Sequence, residues 1–153
     1  MQSKKEKRPW DPQATSAYWI NQASRALIRR HEARLRPLGF GMSHLPILFA
    51  LEEREPLSQK ELAEAARVEQ PSMAELLARM ERDGVVQREP NPEDKRGSLT
   101  SLTRAARARL PEAKAALWRG EDEATAELNE REKATLIKLL QKVVRNLETA
   151  DPT

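Results

Sequence analysis

The chain has 153 residues, 39% hydrophobic and 33% charged, with no Cys and a formal net charge of +3. That length suits one domain, or one small domain with appended helices, and the modest apolar content leaves room for burial between subunits. The missing Cys excludes disulfides, thiolate metal sites and thiol redox sensing, and no apolar run approaches the ~20 residues of a membrane span.

Residues 1–13 read as a basic, flexible arm. They lack the apolar core of a signal peptide, so the chain is expected in the cytoplasm. The charge is unevenly spread: residues 1–36 hold nine Lys/Arg against three Asp/Glu, whereas residues 58–109 are nearly neutral. The run Lys4-Lys5-Glu6-Lys7-Arg8 can touch phosphates, but such runs more commonly just solvate a tail. The spacing of Tyr18, Trp19, Ala23, Ala26, Leu27 and Leu35 predicts a helix from about Ala14 to Leu35, stopped by Pro37 and Gly39. Ser43 is expected to cap a second helix, with Pro46 in its first turn and Ile47, Leu48, Ala50 and Leu51 along it.

Ser58 and Glu61 have capping-box spacing, and Leu57 is placed for a hydrophobic staple against Leu62. A short helix to about Ala66 follows. After a turn at Arg67-Val68-Glu69, another helix begins near Gln70, with Met73, Leu76, Leu77 and Met80 as its inner face. Asp83-Gly84 ends it, Gly84 suiting a left-handed cap. The period then switches to strand: 85–88 and 99–102 flank a polar, turn-forming tip over 90–98, which reads as a β-hairpin. Helix returns with Leu110, Ala113, Leu117, Ala124 and Leu128, where Pro111 must kink it or sit near its start. Asn129 with Glu132 resembles a further cap. Leu136, Leu140, Val143 and Leu147, flanked by Ile137 and Val144, form a broad apolar seam on a terminal helix.

Helix, turn, helix and hairpin in that order make a winged helix-turn-helix. The fold class is mainly α with a small β-hairpin wing and flanking N- and C-terminal helices. The second helix of such a unit enters the major groove with its N-terminal residues on base edges. Here that end offers Gln70, Pro71, Ser72 and Glu75, with Arg79 a turn later, and Ser58 and Gln59 open the preceding helix. Gln can bond adenine bidentately, and Arg can pair with guanine or phosphate. The same residues would equally serve as the wet face of any small helical domain. The hairpin tip sharpens the choice: Lys95 and Arg96 there can enter a narrow minor groove, with Asp94 bonding Arg96 or the tip backbone.

The segment from Leu57 to Thr103 resembles the MarR (multiple antibiotic resistance regulator) family. LSQKELAEAARVEQPSMAELLARMERDGVVQRE is similar to the family's reading unit. NPEDKRGSLTSLT is similar to its wing, with Pro92, Asp94, Arg96, Leu102 and Thr103 in register. The flanking helices match too, over about residues 14–148. The resemblance implies a sequence-specific, double-stranded DNA-binding transcription regulator, a repressor, working as a homodimer on a pseudo-palindromic operator. It makes Arg96 the minor-groove arginine and Asp94 its partner, and places Ser72 at a frequent contact position. Three residues depart from the family pattern: Asn91 for Asp, which would loosen the wing turn; Arg67 for Gly; and Ala106 for Gly.

Residues 14–36 and 105–148 are expected as dimerisation helices, through Leu136, Leu140, Val143 and Leu147. They flank the DNA-binding domain over 43–103, and 149–153 is a tail. The family implies release by a small aromatic or phenolic acid, for which Tyr18, Trp19, Asn21, Arg25 and His44 are candidates, although core packing or a helix-start hydrogen bond is the commoner role for each of them. No cofactor or metal is expected: two His and no Cys make a weak set of soft ligands. Neither His31 nor His44 lies in a catalytic motif, so the chain is not expected to be an enzyme. A protein–protein adaptor using the winged helix, and a regulator without an effector, remain as alternatives.

Overall fold

A computed structural model describes residues 9–150; the basic run at residues 4–8 lies outside the described residues. Six α-helices and a three-stranded antiparallel sheet follow in chain order: α1 (Ser16–Leu35), α2 (Leu45–Glu53), β1 (Leu57–Ser58), α3 (Gln59–Ala66), α4 (Gln70–Arg82), β2 (Val86–Pro90), β3 (Ser98–Leu102), α5 (Arg104–Ala124) and α6 (Glu130–Thr149). Two compact units divide within α5, between Leu117 and Trp118. No described helix is long and apolar enough to cross a membrane.

The first unit is built around one apolar cluster. Leu35 from α1, Ile47, Leu48 and Leu51 from α2, Leu62 from α3, Met73, Leu77 and Met80 from α4 and Val86 from β2 are all 2% exposed or less. Leu102 of β3 and Leu110 of α5 close it. Fully burying one such side chain contributes about 1.5–3 kcal/mol, so the apolar period that defines each helix also decides which face turns inward.

Local chemistry sets the boundaries. Asp11 caps a 3-10 turn over Pro12–Ala14, and the Thr15 side chain accepts the Tyr18 N–H at 3.3 Å. α1 therefore starts at Ser16, two residues later than the apolar spacing suggests, and a 3-10 turn precedes it. Gly39, at φ 78°, turns the chain out of α1. Ser43 does not cap α2, contrary to expectation. A 3-10 turn over Met42–His44 precedes the helix, and its donors are met from elsewhere: Glu32 of α1 accepts the Met42 N–H at 2.7 Å, and His44 Nδ1 accepts the Gly41 N–H at 3.1 Å.

The Ser58–Glu61 capping box is present in both directions, at 2.8 and 3.2 Å. α4 contains all four expected inner residues as buried side chains, and Gly84, at φ 72°, follows it. The sheet order is β1-β3-β2. β2 and β3 are five residues each, longer than the expected strands, because Pro90 pairs with Ser98. On an edge strand a residue without an N–H breaks no inner ladder. β1, in which Leu57 pairs with Thr100, has no counterpart in the expected elements; two residues show no period.

Thr103 caps α5: its Oγ1 accepts the Ala106 N–H at 3.1 Å and donates to the Gly84 carbonyl at 2.6 Å. Pro111 is inside that helix. Leu128 falls in the turn after it, donating its N–H to the Thr125 carbonyl. In the second unit α6 opens on the Asn129–Glu132 capping box, at 2.9 and 3.0 Å. It has no buried residue: Leu136, Ile137, Leu140, Val144 and Leu147 are 39–72% exposed.

Candidate nucleic-acid interface

The surface that could meet a nucleic acid is built on α3, α4 and the β2–β3 hairpin. The apolar stripe of α4 turns Met73, Leu76, Leu77 and Met80 inward. Gln70, Pro71, Ser72, Glu75 and Arg79 are left exposed on the opposite side. Glu69 makes no side-chain cap at the start of α4, so donors of its first turn face outward. Gln59, in the first turn of α3, donates from Nε2 to the Gln70 carbonyl at 3.4 Å, which joins the two helix starts across the turn.

That turn holds Arg67 at φ 54°, ψ 44°, with its N–H bonded to the Ala63 and Glu64 carbonyls. The left-handed geometry usually given to Gly is thus adopted by Arg.

The wing tip is tied together from within. Asn91 Oδ1 accepts the Glu93 N–H at 3.0 Å, and the Asn91 N–H bonds the Gly97 carbonyl at 3.1 Å. Asn91 therefore supplies the acceptor an Asp would, and the expected loosening is absent. Asp94 Oδ1 accepts the Arg96 N–H at 3.0 Å, and the Gly97 N–H bonds the Asp94 carbonyl. Asp94 thus shapes the backbone and leaves the Arg96 guanidinium unengaged. The side chains of Lys95 and Arg96 are exposed and make no ion pair among the described residues.

Between the helix starts and the wing runs a polar groove of about 420 Å³, lined in part by Ser58, Gln59, Gln70, Asp94 and Arg96. The structure so gathers five residues named from sequence along one channel; Pro71, Ser72, Glu75 and Arg79 of α4, and Lys95 of the wing tip, are exposed but are not among its lining residues.

Sequence reading missed Arg88 and Glu81. Arg88 lines the groove and is bonded bidentately to Glu81, Nε to Oε2 at 3.2 Å and Nη2 to Oε1 at 3.1 Å. The Arg88 guanidinium holds the Glu81 carboxyl below its ordinary value. The signal was available: Arg88 shares a strand face with Val86, and Glu81 follows Leu77 by one helical turn. Glu55 was also missed. Its Oε2 accepts the Leu102 N–H at 3.0 Å, its Oε1 pairs with Arg107, and it so ties the end of β3 to α5.

The candidate effector residues do not converge within one chain. Tyr18 and Trp19 meet edge to face, with ring centroids 5.1 Å apart, and Trp19 Nε1 donates to the Gln13 carbonyl at 2.9 Å. Asn21, a turn further on, and Arg25, at the middle of α1, are exposed. His44 lies beside Glu32, which at 1.5 Å per residue is about 20 Å along the helix from Trp19 and about 10 Å from Arg25. Burial holds the His44 pKa below its usual 6.5, against the pull of Asp83 and Glu32. Among the described residues, no three His, Cys, Asp or Glu are grouped to hold a metal ion.

Comparison with known proteins bears on this surface. The MarR family profile matches residues 41–98. The chain is 32% identical, over 114 residues, to YwoH of Bacillus subtilis (strain 168), an uncharacterized HTH-type transcriptional regulator; the match covers 74% of this chain and 82% of YwoH. A mutant of E. coli MarR solved in complex with operator DNA superposes with a TM-score of 0.75 at 28% identity, covering 83% of this chain and 91% of that one. A probable transcriptional regulator from Pseudomonas aeruginosa does so at 0.78 and 26%, over 87% and 99%. The repressor CouR, solved on a 23-mer DNA duplex, shares the fold at a TM-score of 0.77 and 22% identity, over 86% of this chain and 94% of its own.

Proposed function

The chain belongs to the MarR family, and from that premise we propose that it is a sequence-specific, double-stranded DNA-binding transcription regulator that represses by occupying its operator. The observation that carries this is the shared groove. A helix start with outward Gln70 and Ser72 lies alongside a wing whose Lys95 and Arg96 have no protein partner. α4 reads base edges in the major groove through Gln70, Ser72, Glu75 and Arg79, while Arg96 enters the adjacent minor groove. Ser58, Gln59 and Lys95 serve the backbone, and Pro71 fixes the first turn of α4. Support from a relative comes through E. coli MarR, whose mutant is bound to operator DNA.

One α4 spans few base pairs. A second copy, joined through the apolar face of α6 with Leu136, Leu140, Val143 and Leu147, doubles the site and imposes twofold symmetry on it. Sequencing genomic fragments retained by the purified protein tests this reading. It should enrich a near-palindrome with half-sites about 10 base pairs apart; no enriched sequence at all would contradict it.

An aromatic acid is the effector class that suits the α1 end: Tyr18 and Trp19 offer flat faces, Asn21 a hydrogen bond and Arg25 a cation for the carboxylate. His44 is too distant within the same chain to complete that pocket. Such a ligand acts only by preferring one spacing of the two reading heads. A thermal-shift series with hydroxybenzoic acids should raise the melting temperature of the wild type and not of Arg25→Ala. Equal shifts in both would remove this pocket from the proposal.

A further inference from the structure

The hairpin meets α4 along a line that starts apolar and ends charged. Strand period places Val86 and Arg88 on the face of β2 turned to α4, with Gln87 and Glu89 outward; Val86 is 2% exposed. On α4, Leu77 and Met80 are fully buried, and Glu81 continues the same stripe toward solvent. The Glu81–Arg88 pair therefore extends the packed contact outward along the wing. Its two hydrogen bonds are the only side-chain hydrogen bonds between α4 and the hairpin among the described residues. Beyond Arg88 the tip is held by its own turn, through Asn91 and Asp94.

Two parallel bonds fix a direction as well as a distance, which a single contact does not. Arg88 is paired with Thr100 in the sheet, and Arg96 lies four residues beyond Thr100. With β3 ending at Ser98 and the last two residues in the turn, that is a lever arm of at most about 13 Å. Slack of about 10° at Arg88 would thus move the wing cation by up to about 2 Å, more than a hydrogen bond tolerates.

We propose that Glu81 and Arg88 are positioning residues that set the wing against α4, so that Arg96 and the reading helix engage one duplex together. The proposal rests on the DNA-binding reading above. Arg88 gives its Nε–Nη2 edge to the carboxylate, and the pair adds no net charge to the interface. It acts through the position of Arg96 and not as a phosphate ligand.

The charge of Glu81 makes the test discriminating. Removing a carboxylate beside DNA should tighten binding if the residue acts only through its charge, or if it merely restrains Arg88 from a phosphate. A brace predicts the reverse. Binding of a labelled duplex carrying the enriched sequence would be followed by fluorescence anisotropy across a salt series. Glu81→Gln should weaken wild-type binding about fivefold, with the slope of log affinity against log salt unchanged. In an Arg96→Ala background the same change should have almost no further effect, because the wing cation it positions is gone. The swap Glu81→Arg with Arg88→Glu should return affinity to within about twofold of wild type, since it restores a pair of equal net charge. Tighter binding by Glu81→Gln overturns the brace. So does a full fivefold penalty in the Arg96→Ala background, which general destabilisation would give. Wild-type protein that binds no duplex would instead bring down the regulator reading and the brace with it.

Discussion

At Arg67 the chain carries a β-substituted residue at φ 54°, in a region that costs such residues about 1–2 kcal/mol. The turn needs this geometry because the Arg67 N–H closes α3 onto Ala63 and Glu64 before α4 departs in a new direction. Arg67→Gly should therefore stabilise the protein by about 1 kcal/mol, a rise of about 2–4 °C in melting temperature. A fall would mean that the side chain contributes more than the backbone loses.

Residue-level reasoning from sequence worked where one side chain has one local partner. Ser58 with Glu61, and Asn129 with Glu132, are legible because a capping box is three residues long. It failed where the partner is distant: Ser43 looked like a cap, but the donors beside it are met by Glu32, ten residues upstream, and by His44. Glu81 and Arg88 are seven residues apart on different elements, so the period of each element gives its face, but their pairing emerges only when α4 and β2 are packed together.

At the scale of elements, apolar spacing located α1, α2, α4, α5 and α6, and a capping box located α3. The wing was legible as a hairpin from its turn-forming tip, while β1 was not, since two residues have no period and exist as a strand only through β3. α5 carries the one element-level anomaly. Pro111 is eight residues into the helix and exposed. It has no N–H for the carbonyl one turn back, that of Arg107, and its ring crowds that carbonyl. Pro111→Ala should restore the bond without removing buried surface, and should stabilise the chain by about 1–3 kcal/mol in thermal denaturation. Destabilisation would show that the packing of α5 depends on Pro111 itself.

For the whole molecule, the seam of α6 is the feature that a single chain leaves unused. An amphipathic helix of 20 residues is about 30 Å long and gains most of its stability from packing its apolar face. The sequence showed that face clearly, and the structure leaves it open, with Leu147 72% exposed. The occupant proposed above, a second copy of the chain, would also give the reading heads a twofold axis. The groove joining Gln59, Gln70 and Arg96 was less legible: each residue could be named, but their convergence depends on β1 and on the brace at Arg88.

The most direct test of the central claim is fluorescence anisotropy of the purified protein on a duplex of its enriched sequence, from low to physiological salt. Two chains should bind each duplex, with affinity falling steeply as salt rises. Arg96→Ala should weaken the complex about tenfold, the size of one good groove contact. Binding that is absent, or unchanged by salt and by Arg96→Ala, would contradict the account and leave the winged helix as a surface for another protein.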